Sequence, residues 1–222
     1  MTAPLIGDVD EVLATTRAVR RRLDLDRAVP DDVIEQCVEL ARQAPIAKNV
    51  EQCRFVAIRA PELRAGVAEL YRRAGSEIVL PQMMAAARKA GDAAKPTPQQ
   101  RRNMASAMHL TEQLDAVPLL VLAGTIAPPP DEIVGPDASE FYGSVLPTIW
   151  SFQLALRSRG LGSSLTSMHL HFADEVAALL GLPDEFTQVA LLPVAYTQGT
   201  DFRRAERTLP LDAVLHLDRW TG

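Results

Sequence analysis

Residues 141–166, FYGSVLPTIWSFQLALRSRGLGSSLT, constrain the fold more than any other stretch. Residues 144–159 read as a long helix with Pro147 in its first turn, where no intrahelical N–H is required. Leu146, Ile149, Trp150, Leu154 and Leu156 make this helix apolar on more than one side. A helix of that kind is expected to be buried on several faces rather than laid half-exposed on a surface. Ser151 and Ala155, one turn apart, leave room for a second helix to approach. Arg157 and Arg159 suit the negative end of the helix dipole, and Gly160 suits the position after the last turn. Gly160-Leu161-Gly162-Ser163-Ser164 then reads locally as a helix stop before a strand, with a backbone also open to a neighbour or ligand.

A single domain of 222 residues buries roughly 70% of its unfolded surface, so it needs no disulfide or metal staple. The net charge of −5 gives no reason to expect nucleic acid or an anionic membrane as a partner. Cys37 and Cys53 make neither a disulfide framework nor a metal-ligand spacing, and a reducing cytoplasm is the expected setting. The first residues, MTAPLIGDVDEV, carry acids and no apolar core, so no secretory signal is read there. No apolar run reaches membrane-spanning length.

Along the chain, Asp8 opens a short helix that leads into residues 17–24, RAVRRRLD, where four arginines crowd together. They are either a solvated surface at a helix end or a grip for phosphate, which guanidinium groups bind in bidentate fashion. A helix from Pro30 to about Ala44 buries Val33, Ile34, Cys37, Val38, Leu40 and Ala41. Pro45 ends it, and residues 44–49 form a loop. There Asn49 either makes a turn or offers its amide to a planar heterocycle. Residues 55–58, 117–123 and 189–195 read as buried strands, the last with Pro193 hinting at an edge or bulge. Helices are expected from Pro61 to about Arg73, at 77–89 and 99–114, with a polar linker at 91–98, and at 173–180. Methionines 83, 84, 104 and 108 concentrate in the 71–115 excursion, where they are either core filling or an adaptable binding surface. A second arginine cluster, Arg203, Arg204 and Arg207, follows the last strand. Helices separating strands without tandem hairpins predict an α+β or α/β sandwich, read as one domain over 1–222 with 71–115 as a lobe or cover.

Four of these pieces, in this order, resemble the FMN-dependent nitroreductase family. Residues 17–24 resemble its R-R-S-V-R-R-F-D segment, and APIAKN at 44–49, ahead of RFV at 54–56, resembles A-P-S-G-G-N followed by W-R-F-V. RGLGS at 159–163 resembles A-L-G-L-G-S, and VALLPVAY at 189–196 resembles V-A-L-L-P-L-G-Y. The resemblance runs from Thr16 to the C-terminus. It implies an α+β three-layer sandwich, a mainly antiparallel sheet flanked by helices, in an intertwined homodimer with FMN at the subunit interface and the central helix in that interface.

By motif match, the resemblance implies cofactor contacts from Arg17, Ala18, Val19 and Arg21, from Asn49, and from Arg207. Gly162 and the backbone of Ser167, Met168, His169 and Leu170 would lie by the reactive face of the flavin. The implied activity is reduction of a small organic acceptor, such as a nitro compound or quinone, at the expense of NADH or NADPH in a ping-pong cycle. Flavin chemistry needs orientation and electrostatics from the protein, so no catalytic acid or base is nominated and no metal is expected. His169 and His171 are ordinarily packed or surface residues in such a segment. Val19 replaces a phosphate-binding Ser, Ile46-Ala47-Lys48 replaces Ser-Gly-Gly, and Ala195 replaces Gly. Two further readings are a flavin dehydrogenase or oxidase acting on an organic donor, and a non-catalytic flavin- or ligand-binding homologue. The absence of G-x-G-x-x-G leaves the choice between NADH and NADPH unread.

Overall fold

A computed structural model describes residues 8–90 and 96–220. The expected linker at 91–98 therefore falls largely outside the described residues, as do the first seven residues. The elements are α1 (Val9–Thr15), α2 (Asp31–Ala41), β1 (Cys53–Ile58), α3 (Pro61–Arg73), α4 (Leu80–Ala90) and α5 (Pro98–Gln113). They continue with β2 (Leu119–Ile126), α6 (Pro136–Ser158), β3 (Leu161–Ser163), α7 (Ala173–Leu180) and β4 (Phe186–Tyr196). A π-helical turn, Ala74–Val79, joins α3 to α4.

The four strands form one sheet in the order β1-β2-β4-β3, every pairing antiparallel. Alternation along β2 explains the layering, because successive side chains of a strand point to opposite faces. Leu119, Val121 and Ala123 join Ile34, Cys37 and Ala41 of α2 and Ile149, Phe152 and Leu156 of α6. Leu120 and Leu122 join Val67 and Ala68 of α3, Leu110 of α5 and Val176 of α7 on the opposite face. Helices thus cover both faces of an antiparallel sheet, an α+β three-layer sandwich. Phe152 of α6 is fully buried and meets the ring of Phe55 on β1 at 5.0 Å between centroids.

Three expectations need correction. The central helix begins at Pro136, not Ser144, so Pro147 lies inside it rather than in its first turn. Gly135, at φ +113, and Pro136 at the first helical position are the start signal. Its apolar faces are not all buried within the chain: Leu146 and Trp150 remain 41% and 42% exposed. Ser151 and Ala155 instead line a shallow cleft against Val9, Val12 and Leu13 of α1, the neighbour that the small residues admit. Third, Pro193 sits in β4, an interior strand. Leu191 exchanges both backbone hydrogen bonds with Thr166, so its N–H faces the β3 side, and so does the nitrogen two residues on. Proline is tolerated there because the ladder with β3 starts only at Val194 opposite Ser163.

The β2–β4 register shifts between Ala123 and Gly124. A Cβ on Gly124 would overlap the Thr187 carbonyl oxygen and stand 2.5 Å from the Phe186 ring. Gly124→Ala is expected to destabilise the fold by about 1–3 kcal/mol, the usual scale of overpacking, read from urea unfolding.

Candidate cofactor site

The N-terminal arginine segment is an extra edge on the sheet. Val19 N donates to the Ser163 carbonyl at 2.8 Å, and Asp24 N donates to the Tyr196 carbonyl at 2.8 Å. Ala18 bridges Ser163 in parallel, and Leu23 bridges Thr197. This docking needs a glycine at 162, where a Cβ would lie 2.7 Å from Thr197 Cγ2 and 2.9 Å from Val19 Cβ. Val19 is itself buried in the core beneath the segment, so it holds the backbone down and presents no side chain at the surface. Ala18 and Arg17 are exposed beside it.

Arg17 and Arg207, far apart in sequence, line one cleft of about 230 Å³ together with Arg203 and Arg204. Leu13, Ala14, Thr16 and Ala205 complete the lining, which contains no carboxylate. Arg17 Nη1 also donates to the Arg203 carbonyl at 3.0 Å, tying the N-terminal segment to the tail. Arg21 is not brought to this cleft. Residues 20–22 turn, and Arg21 donates to the Ala105 carbonyl at 3.3 Å, in a separate cleft shared with Arg20, His109 and Gln198. The clustering of Arg203 and Arg204 with Arg207 is visible in the sequence, but only the fold brings them to the cleft.

Downstream of Gly162, the chain is pinned by side chains from two helices. Gln153 donates to Ser163 Oγ at 3.0 Å, and the hydroxyls of Tyr71 and Thr166 are 2.8 Å apart. Ser167 precedes a 3₁₀ turn, Met168–Phe172. Ser167 and Leu170 face solvent, and Met168 is half-buried with its Cε 3.4 Å from where a Cβ of Gly75 would stand, in the π-helical turn. His169 points inward, fully buried, with neither ring nitrogen hydrogen-bonded, and burial pushes its pKa down to about 4. It is therefore a neutral core side chain, whereas His171 is exposed.

Asn49 lies elsewhere. It ends a short 3₁₀ turn in which Lys48 and Asn49 both take φ +55, a conformation that Asn tolerates, that a glycine would supply at 48 in the family pattern, and that costs a residue such as Lys roughly 1–2 kcal/mol. The loop is held on the first half of α6 by Ala47 N donating to Ser144 Oγ at 3.0 Å and by Lys48 Nζ on Glu140 Oε1 at 2.6 Å. From Ser144 to Ser158 the helix climbs about 21 Å at 1.5 Å per residue. Asn49 and the Gly162 segment thus sit toward opposite ends of α6 within one chain.

Cys37 and Cys53 are neutral thiols, each pushed up to about 11 by burial. Among the described residues no group of three His, Cys, Asp or Glu side chains could hold a metal ion, and no helix is long and apolar enough to cross a membrane.

The buried histidine has a pH signature. Above about pH 6.5, His169 is neutral whether folded or unfolded. Between about 6.5 and 4 only the unfolded chain takes up the proton, so stability falls as pH falls, and below about 4 this contribution levels off. The expected loss across that window is up to about 3 kcal/mol. Urea unfolding of wild type and His169→Leu across the window is expected to give a smaller slope for the variant.

The profile of the Nitroreductase family matches residues 13–196. No curated protein matches the chain. Among solved structures, a BluB-like flavoprotein from Clostridium difficile 630 superposes with a TM-score of 0.69 at 19% identity, over 96% of this chain and 99% of that one. Iodotyrosine deiodinase bound to FMN and 3-iodo-L-tyrosine gives 0.68 at 17%, over 95% and 98%. The FMN and NADPH-dependent nitroreductase NfnB from Sphigopyxis sp. strain HMH gives 0.64 at 17%, over 97% and 99%. At these identities the superpositions speak for the fold, and the profile speaks for the lineage: this chain belongs to the Nitroreductase family.

Proposed function

We propose that the protein is an FMN-dependent oxidoreductase that uses NADH or NADPH to reduce a small organic acceptor, and that it works as a homodimer. The observation that carries this reading is the cleft of Arg17, Arg203, Arg204 and Arg207, a carboxylate-free concentration of cations in a chain of net charge −5. Four guanidinium groups with no acidic neighbour in the lining fit a phosphate dianion, which they can hold by charge-assisted hydrogen bonds. Bound there, FMN would supply the redox chemistry, passing a hydride equivalent from NAD(P)H to the acceptor in a ping-pong cycle.

The rest of the site positions and shields. Arg17 and Arg207 grip the phosphate from opposite ends of the chain. The backbone of Ala18 and Val19, flattened onto Gly162, gives a planar ring an unobstructed floor, and the exposed edge of Ser167, Met168 and Leu170 borders it. Arg21 contributes from its separate cleft. Asn49, held on the first half of α6 and away from that floor, contributes to the site of a second protomer. The exposed Leu146 and Trp150 on α6 favour such a dimer, as do the exposed Leu209, Leu211, Leu215, Leu217 and Trp220 of the tail, which suit an intertwined arm. The whole chain is one domain, and its 71–115 lobe covers the acceptor. Met83, Met84, Met104 and Met108, all exposed, supply an adaptable apolar lining there. A cytoplasmic setting accords with the unpaired Cys37 and Cys53.

Reconstitution with FMN tests the assignment. Arg17→Ala and Arg207→Ala are each expected to weaken FMN binding about 10-fold to 100-fold, the value of a lost charge-assisted hydrogen bond, with unchanged sedimentation as a dimer. Wild type is expected to oxidise NADH or NADPH when a quinone or nitro compound is present. Unchanged flavin affinity in both variants would remove the cleft from the site. Bound FMN that NAD(P)H fails to reduce would favour a dehydrogenase, an oxidase or a non-catalytic binder.

A further inference from the structure

Arg157 is a buried cation, 3% exposed in the last turn of α6, with no carboxylate in hydrogen-bond reach. Its partners are neutral. Nε and Nη2 donate to Thr15 Oγ1 at 3.3 and 3.1 Å, and Nη2 also donates to the Thr200 carbonyl at 2.9 Å. Nη1 is buried and has no hydrogen-bond partner. Glu11 acts on this charge only through space, and no carboxylate bonds it directly, so its burial is costly, and the dipole at the end of α6 offsets part of that cost. An apolar side chain could fill the same space at a lower desolvation cost, so the hydrogen bonds of Arg157 need an explanation beyond packing.

Those hydrogen bonds join the N-terminal segment to the tail where both enter the anion cleft. Thr15 lies two residues before Arg17, and Thr200 three before Arg203. Beyond Tyr196 the tail has no strand ladder of its own until the short turn Leu211–Ala213. The Phe202 ring lies against two guanidinium groups, with Arg157 Cζ 4.8 Å and Arg22 Cζ 4.4 Å from its centroid. Arg22 in turn donates to the Gln198 carbonyl and pairs with Asp201 at 2.7 Å. Arg17, Arg203, Arg204 and Arg207 repel one another when the cleft is empty, so something other than their own charge must hold the tail against the N-terminal segment.

We infer that Arg157 is the positioning residue of the anion cleft: a buried guanidinium that ties Thr15 to Thr200, lies against Phe202, and thereby sets the spacing of the arginines that bind phosphate without touching it. The inference rests on the FMN reading for the identity of the anion, and on geometry alone for the tie.

The test compares FMN with riboflavin, which has the same ring and no phosphate. Dissociation constants for both are measured by flavin fluorescence for wild type, Arg157→Met and Thr15→Val. Cleavage by trypsin after Arg203, Arg204 and Arg207 is timed relative to cleavage after Arg101 and Arg102 in α5. In Arg157→Met, FMN binding is expected to weaken about tenfold or more while riboflavin binding changes less than about twofold, the hydrogen bonds lost being to a charged donor. The tail is expected to be cut several times faster. Thr15→Val, which removes one acceptor and leaves Thr200, is expected to give a smaller change of the same selectivity, and it carries the test if Arg157→Met does not fold. Equal loss of FMN and riboflavin affinity, or an unchanged FMN-to-riboflavin ratio with unchanged tail cleavage, would overturn the inference. If wild type binds neither flavin, the FMN reading fails. The relative tail cleavage then decides the tie by itself: faster in the variants supports it, unchanged overturns it.

Discussion

The close approach of residues 17–19 to β3 is the contact on which the candidate site depends. The hydrogen bond from Val19 N to the Ser163 carbonyl, 2.8 Å, forms only because position 162 carries no Cβ. One missing methyl group therefore lets an irregular N-terminal segment become an edge of the sheet. The buried Val19 side chain then anchors it from below, with Leu23 in the same apolar cluster. Everything placed on that edge inherits the rigidity of a four-stranded sheet packed on both faces. This is how a flexible, arginine-rich stretch acquires a fixed position.

Electrostatics builds on that anchor. An acidic protein gathers cations from its N-terminal segment and its tail into one carboxylate-free cleft. Folding gains nothing from crowding like charges, and their mutual repulsion must be offset by ties through neutral acceptors. Arg17 on the Arg203 carbonyl, Arg22 on the Gln198 carbonyl and Arg157 on Thr15 and Thr200 are such ties. A bound anion would relieve the remaining repulsion, so ligand binding and tail docking are linked by mass action. Elsewhere the charges are conventional surface pairs, such as Arg42 with Glu39 and Glu51 and Arg72 with Asp115, in the class worth little to stability.

Much of this could be read from the sequence, for physical reasons that differ from residue to residue. The strands announced themselves because both faces of the sheet are covered, which makes β2 almost uniformly apolar. The pairing of Arg17 with Arg207 was legible only through family resemblance, since no local pattern brings residues so far apart in the chain together. The start of α6 was hidden because Asp137, Ser139 and Glu140 carry no apolar stripe and follow a proline-rich loop. The separation of Arg21 from Arg17 was hidden because a turn at 20–22 redirects the side chain, and like residues in a run give no sign of direction. Arg157 looked like an ordinary charge at a helix end. Its burial depends on the tail folding back over it, a tertiary event with no signature in the α6 sequence. His169 is a similar case: among neighbours that are exposed or half-buried, only the packing decides that the ring turns inward.

The central claim is that the edge formed by residues 17–19, Gly162 and the arginine cleft holds FMN. The most direct measurement is the visible absorption spectrum of the freshly purified protein, with the mass of any chromophore released on denaturation. The account predicts flavin bands and the mass of FMN, retained after gel filtration or restored by adding FMN and removing the excess. A protein that is colourless as purified and stays colourless after that treatment would contradict it.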